Sequence, residues 1–187
     1  QADRVHLGVL LRTLSTSAAN RPAGVRLVPF VSREVVMEQL PHTERAGMSR
    51  RLYRELIRHA LLRGADGFYV FNPVGRGSPQ RQQIMLEGFE MVEDVRAVYD
   101  QMLAFRPFLD AGEPMTLSWP EPGTAGVVWS GLRLEDECLV RAITLSEQAE
   151  RVKLSPWPGM SVELEAPPEG ATYRLSRDGS VTPLPME

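Results

Sequence analysis

The stretch from Val25 to Pro73 runs strand, helix, strand, and that order constrains the chain more than any other feature. Its first run, Val25-Arg-Leu-Val-Pro-Phe-Val-Ser32, is apolar and β-branched enough to be a strand buried on both faces. It stops at the polar cluster Ser32-Arg33-Glu34. A second run, Gly67-Phe-Tyr-Val-Phe71, has the same character and is followed by Asn72 and Pro73. Between them Ser49 can cap a helix whose apolar stripe is Leu52, Leu56, Ile57, Ala60 and Leu61. Gly64 stands where a left-handed residue would close it, and Arg50, Arg51, Arg54 and Arg58 share the remaining surface. This is half of a parallel α/β unit, a class of fold whose chemistry sits at the carboxyl ends of the strands.

The flanks extend the pattern. Residues Val5 to Leu11 form an apolar run that suits a buried strand; a short buried helix gives the same count, and Gly8 tips the reading to strand. Leu14 to Gly24, with its Ser, Thr, Asn and Pro, then reads as a loop. A long amphipathic helix is expected from about Gln80 to Phe105, with Met85, Phe89, Val92, Val95, Tyr99, Met102 and Leu103 at spacings of three and four, ended by Pro107 and Gly112. From Glu113 the texture changes to short alternating runs. Strands are expected at Met115 to Trp119, Gly126 to Leu134, Cys138 to Leu145, Arg151 to Leu154, Ser161 to Glu165, Thr172 to Leu175 and Ser180 to Leu184, separated by Pro, Gly and Asp turns. Strands at such spacing argue for an antiparallel sandwich. The boundary divides residues 1–112, mildly basic, from residues 113–187, which are acidic.

Composition removes several classes of function. A net charge of -3 with scattered basic residues lacks the footprint of a nucleic-acid binder. No apolar run approaches the roughly 20 residues of a membrane span. Cys138 is the one cysteine, so no intrachain disulfide forms and the usual marks of a zinc cluster are missing; its flank Glu137-Cys-Leu-Val140 reads as a buried strand. His6, His42 and His59 have no metal-ligand spacing, so neither a metal nor a cofactor is expected. The chain begins at Gln1 rather than Met, which leaves its compartment open, secreted or periplasmic settings included.

Two stretches carry a resemblance: Leu61-Leu-Arg-Gly-Ala-Asp-Gly-Phe-Tyr-Val-Phe-Asn-Pro73, and the pair Val127-Val-Trp-Ser-Gly-Leu-Arg-Leu134 and Cys138-Leu-Val-Arg-Ala-Ile-Thr-Leu145. The first resembles the last helix and strand of a glycoside-hydrolase-like (β/α)8 barrel, and the second is similar to the small C-terminal β-sandwich that such enzymes carry. The implied fold class is α/β plus all-β, a partial (β/α) barrel-like unit followed by a small antiparallel β-sandwich. A complete barrel takes roughly 200 residues, so residues 1–112 would supply only its last βα units. The missing N-terminal half of the barrel, or further copies in a homo-oligomer, would complete it. The implied activity is hydrolysis of a glycosidic bond, with carbohydrate as partner and with this segment incomplete as an isolated catalyst. The competing reading is a non-catalytic module that binds carbohydrate or protein.

Within that resemblance Glu34 lies just past a strand end, where retaining glycosidases place a nucleophilic carboxylate; capping the next helix or lying solvated is the more ordinary role for it. Cleavage takes two carboxyl groups roughly 5 to 10 Å apart, and only this one can be nominated. Glu44 is a weaker candidate, and Asp66 in its Gly-Ala-Asp-Gly turn is expected to form an Asx-turn. Asn72 could hydrogen-bond a sugar hydroxyl or satisfy the turn before Pro73; Arg33 and His42 are further candidates for substrate contact. Val74-Gly-Arg-Gly-Ser78 lacks the ending and spacing of a phosphate loop. Trp157, in the turn Ser155-Pro-Trp-Pro-Gly159, is the best exposed candidate for a sugar-stacking ring, though packing onto the barrel fits it as well; Trp119 and Trp129 suit the core.

Overall fold

In a computed structural model, residues 2–33, 48–71, 81–118 and 126–185 are described. The molecule is mixed helix and sheet, built around an antiparallel five-stranded sheet, and it is not a closed barrel. The first half contains α1 (Ala2–Ala19), β1 (Phe30–Val31), α2 (Arg50–Leu61), β2 (Tyr69–Val70), α3 (Arg81–Met102) and α4 (Arg106–Ala111). The second contains β3 (Glu113–Pro114), β4 (Val127–Leu134), β5 (Glu137–Thr144), β6 (Glu150–Leu154), β7 (Val162–Ala166), β8 (Ala171–Ser176) and β9 (Val181–Leu184). None of the helices among the described residues is long and apolar enough to cross a membrane.

The N-terminal segment corrects the sequence reading: Val5 to Leu11 is helix, not strand, and the expected loop after it stays helical to Ala19. Leu7, Leu11 and Leu14 recur at helical spacing and are buried, whereas Val9 is exposed. The Ser/Thr run is compatible with helix because Thr13, Thr16 and Ser17 return their hydroxyl protons to the carbonyls of Val9, Arg12 and Thr13. The next helix follows expectation. Ser49 Oγ accepts from Leu52 N–H at 3.3 Å, and Gly64 closes the far end at a φ of 86°.

β1 and β2 are parallel, Phe30 opposite Tyr69 and Val31 opposite Val70. They are much shorter than the apolar runs that contain them, and the expectation of strands buried on both faces fails. Val31 and Val70 belong to the core that the helices cover, but Phe30 and Tyr69 on the opposite face are 68% and 60% exposed. The stripe of α3 also sits differently. Met91, Asp94, Val98 and Met102 are the buried positions, while Phe89 and Val92 face outward, because α3 must present Asp94 to the arginines of α2. A short 3₁₀ turn, Leu103–Phe105, separates α3 from α4, whose first turn accommodates Pro107.

In the C-terminal half β4 to β9 lie close to the expected positions; the strand expected over Met115 to Trp119 does not form over residues 115–118, and a two-residue strand stands just before it at Glu113–Pro114. The sheet order is β3-β4-β5-β8-β9, and β6 and β7 form a separate antiparallel pair. β5 is buried on both faces, and period-two alternation sorts its residues. Leu139 and Ile143 join the helices in one core with Val128 and Leu132 of β4; Cys138 and Val140 join Leu154, Trp157, Leu164 and Leu175 in a second core under β6 and β7. The first core runs across the junction at residues 112 and 113.

Gly112 makes that junction. Its backbone N–H donates to Phe108 O at 2.8 Å, and a Cβ would meet that same oxygen at 2.5 Å and Leu132 Cβ at 2.9 Å. Neither neighbour is a flexible tip. Gly112→Ala is therefore expected to lower unfolding stability by about 1–3 kcal/mol, read from the urea midpoint. At Gly67 an added methyl meets only Val28 at 3.9 Å, so Gly67→Ala should stay within about 0.5 kcal/mol of the parent.

Candidate functional site

Helix α2 organises the polar chemistry of the described residues. Glu55, His59 and Arg63 stand four apart, so they line one stripe along α2 and the turn after it, and that stripe faces the sheet. On the sheet, the cross-strand partners Ser130 and Arg141 lie between the apolar pairs Val128–Ile143 and Leu132–Leu139. The two polar rows meet. Glu55 Oε2 accepts from Arg141 Nε at 2.9 Å and Glu55 Oε1 from its terminal nitrogen at 2.7 Å, a bidentate pair in which both side chains are buried. Arg58 also donates to Glu55 Oε1, at 2.8 Å.

Arg63 is fully buried, and its partners among the described residues are neutral oxygens: Ser130 Oγ at 2.7 Å, Ser15 Oγ at 2.6 Å, the Trp129 carbonyl at 3.0 Å and the Ser118 carbonyl. Burial pulls its pKa down to about 10, so it remains a cation at neutral pH. His59 is buried beside it, with Nδ1 2.8 Å from Ser130 Oγ. Ser130 Oγ also accepts from Arg63 Nε, so one hydroxyl links the histidine to the arginine. Burial, and then the charges of Arg63, Arg141 and Arg58, push His59 well below the usual histidine range and keep it neutral. The group is closed to solvent and structural in character.

A second charged cluster faces outward. Asp94 of α3 is buried and accepts from Arg50 at 3.0 and 2.9 Å and from Arg54 Nε at 2.7 Å. Burial works to raise its carboxyl, and the hydrogen bonds and charges of Arg50 and Arg54 prevail, holding it below the usual range.

The exposed aromatic face lies at the parallel strands. The rings of Phe30 and Tyr69 stack with centroids 5.2 Å apart and planes at 22°, and Phe71, 47% exposed, meets Phe30 edge-on at 6.4 Å. Phe30 also borders an apolar pocket of about 320 Å³ between α1, α2 and the segment leading into β1, with Leu10, Leu14, Leu27 and Leu56 in its walls.

These positions bear unevenly on the residues nominated from sequence. Glu34, His42, Glu44, Asn72, Trp119 and the Val74 to Ser78 loop lie outside the described residues. Arg33 is tied to α3, its backbone N–H 3.2 Å from Met91 Sδ and its guanidinium 3.2 Å from Glu90. Trp157 is not an exposed stacking ring: it is 7% exposed and fills the second core beside Leu154 and Leu164, because its turn folds back over the sheet. Asp66 makes no local Asx-turn. It accepts from Leu27 N–H at 2.6 Å and from Arg21 at 2.9 Å, clamping the approach to β1. Cys138 is buried, and burial pushes its thiol up to about 11 against the opposing charge of Arg133. No cluster of His, Cys, Asp and Glu among the described residues could hold a metal ion.

Sequence reasoning missed the Glu55–Arg141 pair and the Phe30–Tyr69 face. The spacing of Glu55, His59 and Arg63 was the visible signal for the first; alternation within two apolar runs cannot reveal the second, since it does not say which face the helices cover.

The neutral state of His59 sets a pH dependence. Unfolded, the imidazole takes a proton near its ordinary pKa of about 6.5; folded, it resists until well below that. Below about pH 6.5 the unfolded chain therefore binds more protons, and stability must fall with pH by up to about 1.4 kcal/mol per unit for one such group. His6, lowered by burial although the Ser32 carbonyl opposes the shift, acts in the same direction. Urea midpoints should drop between about pH 7.5 and about pH 5.5, and less steeply in His59→Gln, where His6 alone remains among the described histidines. Equal slopes would rule out the assignment. No protein-family model matches this chain, and neither a curated protein nor a solved structure does.

Proposed function

We propose that this chain is a carbohydrate-engaging portion of a glycoside-hydrolase-like protein, with the face of Phe30, Tyr69 and Phe71 as its sugar-stacking surface. One observation supports the reading: three aromatic rings stand exposed together on a parallel strand pair, with an apolar pocket alongside. Sugar rings carry apolar C–H faces that pack on such rings, burying apolar surface from water. In this reading α1 to α3 with β1 and β2 are a barrel-like unit, and the five-stranded sheet with β6 and β7 is the appended sandwich. Glu34 would supply a carboxylate for bond cleavage beyond the end of β1, and Asn72, Arg33 and His42 would contact the substrate. A second carboxyl group would have to come from elsewhere for hydrolysis.

A second reading has its own observation. β1 and β2 form a sheet of two strands, and each keeps an outer edge without a strand partner among the described residues. Open edges and an uncovered aromatic face suit assembly with further βα units as well as they suit sugar.

Affinity electrophoresis through gels containing neutral polysaccharides separates the two. The carbohydrate reading expects retardation by at least one glycan, weakened about threefold to tenfold by Tyr69→Ala or Phe30→Ala, and release of reducing ends that Glu34→Gln abolishes if the chain also cleaves. Migration unaffected by every glycan, together with a concentration-dependent oligomer that Tyr69→Asp dissolves, would replace it with the assembly reading.

A further inference from the structure

The strongest charge anomaly in the molecule lies away from the aromatic face, at the start of α2. A helix N-terminus is the positive end of the peptide dipole and favours acidic residues in its first turn. The first turn of α2 has no acidic residue; it opens with Arg50 and Arg51, and Arg54 follows one turn later. These side chains border an open cleft of about 670 Å³ between α2, β5 and the turn at residues 167–170. Arg58 and Arg141 add to its walls, so five guanidinium groups face Glu55 and Glu169 as the acidic residues of the lining.

Glu55 and Asp94 are already committed, while Glu169 offers Arg141 its backbone carbonyl. Glu55 is held by Arg141 and Arg58, and Asp94, behind the cleft, by Arg50 and Arg54. Glu90 and Glu93 also act on Arg50 from α3. Arg51 donates to the neutral Pro168 carbonyl. Arg58 is about nine-tenths buried, yet its Nε–H is buried without a hydrogen-bond partner among the described residues. That Nε–H is closed to the cleft and Arg58 also donates to Gln101 at 2.8 Å, so it is the excess of guanidinium groups over carboxylates in the lining that suits an oxyanion. The cleft wall is also shaped around its charge. Gly170, at a φ of 78°, lets the 167–170 turn lie against Arg141, where a Cβ would come within 2.5 Å of the guanidinium.

We infer that this cleft is a binding site for a small ligand bearing an oxyanion, a carboxylate or a phosphoryl group, read by Arg51 and Arg54 near the positive end of α2, with Arg58 of its last turn adding charge. It is separate from the sugar-stacking surface and does not depend on it.

Isothermal titration of the intact chain at low ionic strength with inorganic phosphate, and separately with glucuronate, tests the site. Saturable binding of one or both is expected, weakening as salt is added. Saturation by phosphate alone identifies a phosphorylated ligand, and by glucuronate alone an acidic sugar. Arg51→Gln should weaken binding about tenfold, the loss of one charge-assisted hydrogen bond. It leaves both buried ion pairs intact, and circular dichroism confirms its fold. Ala171→Glu, which places a carboxylate in the cleft, should abolish binding, whereas Arg96→Gln on the exposed side of α3 should not change it. Absence of saturation with both anions, or binding that Arg51→Gln and Ala171→Glu leave unchanged, would overturn the assignment.

Discussion

Burying a charged helix is the constraint on which the rest of the structure depends. α2 packs against α1, α3 and the sheet, and Glu55, Arg58 and His59 are among its buried residues. Charges removed from water must be paired or neutralised, because a lone buried ion costs several kcal/mol. That requirement dictates the register of the helix on the sheet. Glu55 must meet Arg141, and His59 and Arg63 must meet Ser130, as they do. A shift of one helical turn would strand a carboxylate and a guanidinium without these partners. Apolar packing supplies the cohesion here, and the polar stripe supplies the alignment.

The other elements take positions that this alignment leaves them. α3 turns Asp94 inward to meet Arg50 and Arg54, and in doing so exposes Phe89 and Val92. β5 lies at the centre of the sheet, with Leu139, Arg141 and Ile143 toward the helices and Cys138 and Val140 toward β6 and β7. The helices all gather on one side of β1 and β2, which is why Phe30 and Tyr69 remain open to solvent on the other. Surfaces available for function are thus by-products of where the buried charges had to go.

Much of the fold was legible in local pattern. The antiparallel strands from Val127 onward announced themselves by period-two alternation between turn residues, and Ser49 and Gly64 marked the ends of α2. The misreadings came where one pattern serves two structures. The run Val5 to Leu11 is apolar enough for a strand, and its helical spacing becomes decisive only with Leu14, inside a Ser/Thr stretch that resembles a loop. Trp157 sits in a Pro-Gly turn that looks exposed, and the turn folds onto the sheet. Of the candidate site, Arg33 was visible by its place after a strand, but its attachment to Glu90 spans 57 positions of sequence and could not be seen locally.

By itself the sequence determined α2 and the long helix after β2, the antiparallel strands from Val127 onward and the arginine-rich surface of α2, because each is written in contacts between residues a few positions apart. Tertiary structure alone decided which face of β1 and β2 is covered, which carboxylates neutralise which arginines, and where positive charge collects. Those outcomes depend on pairs such as Glu55 and Arg141, separated by 86 positions. Burial makes such pairing obligatory, yet the choice among many arginines and carboxylates is made only when helix and sheet meet.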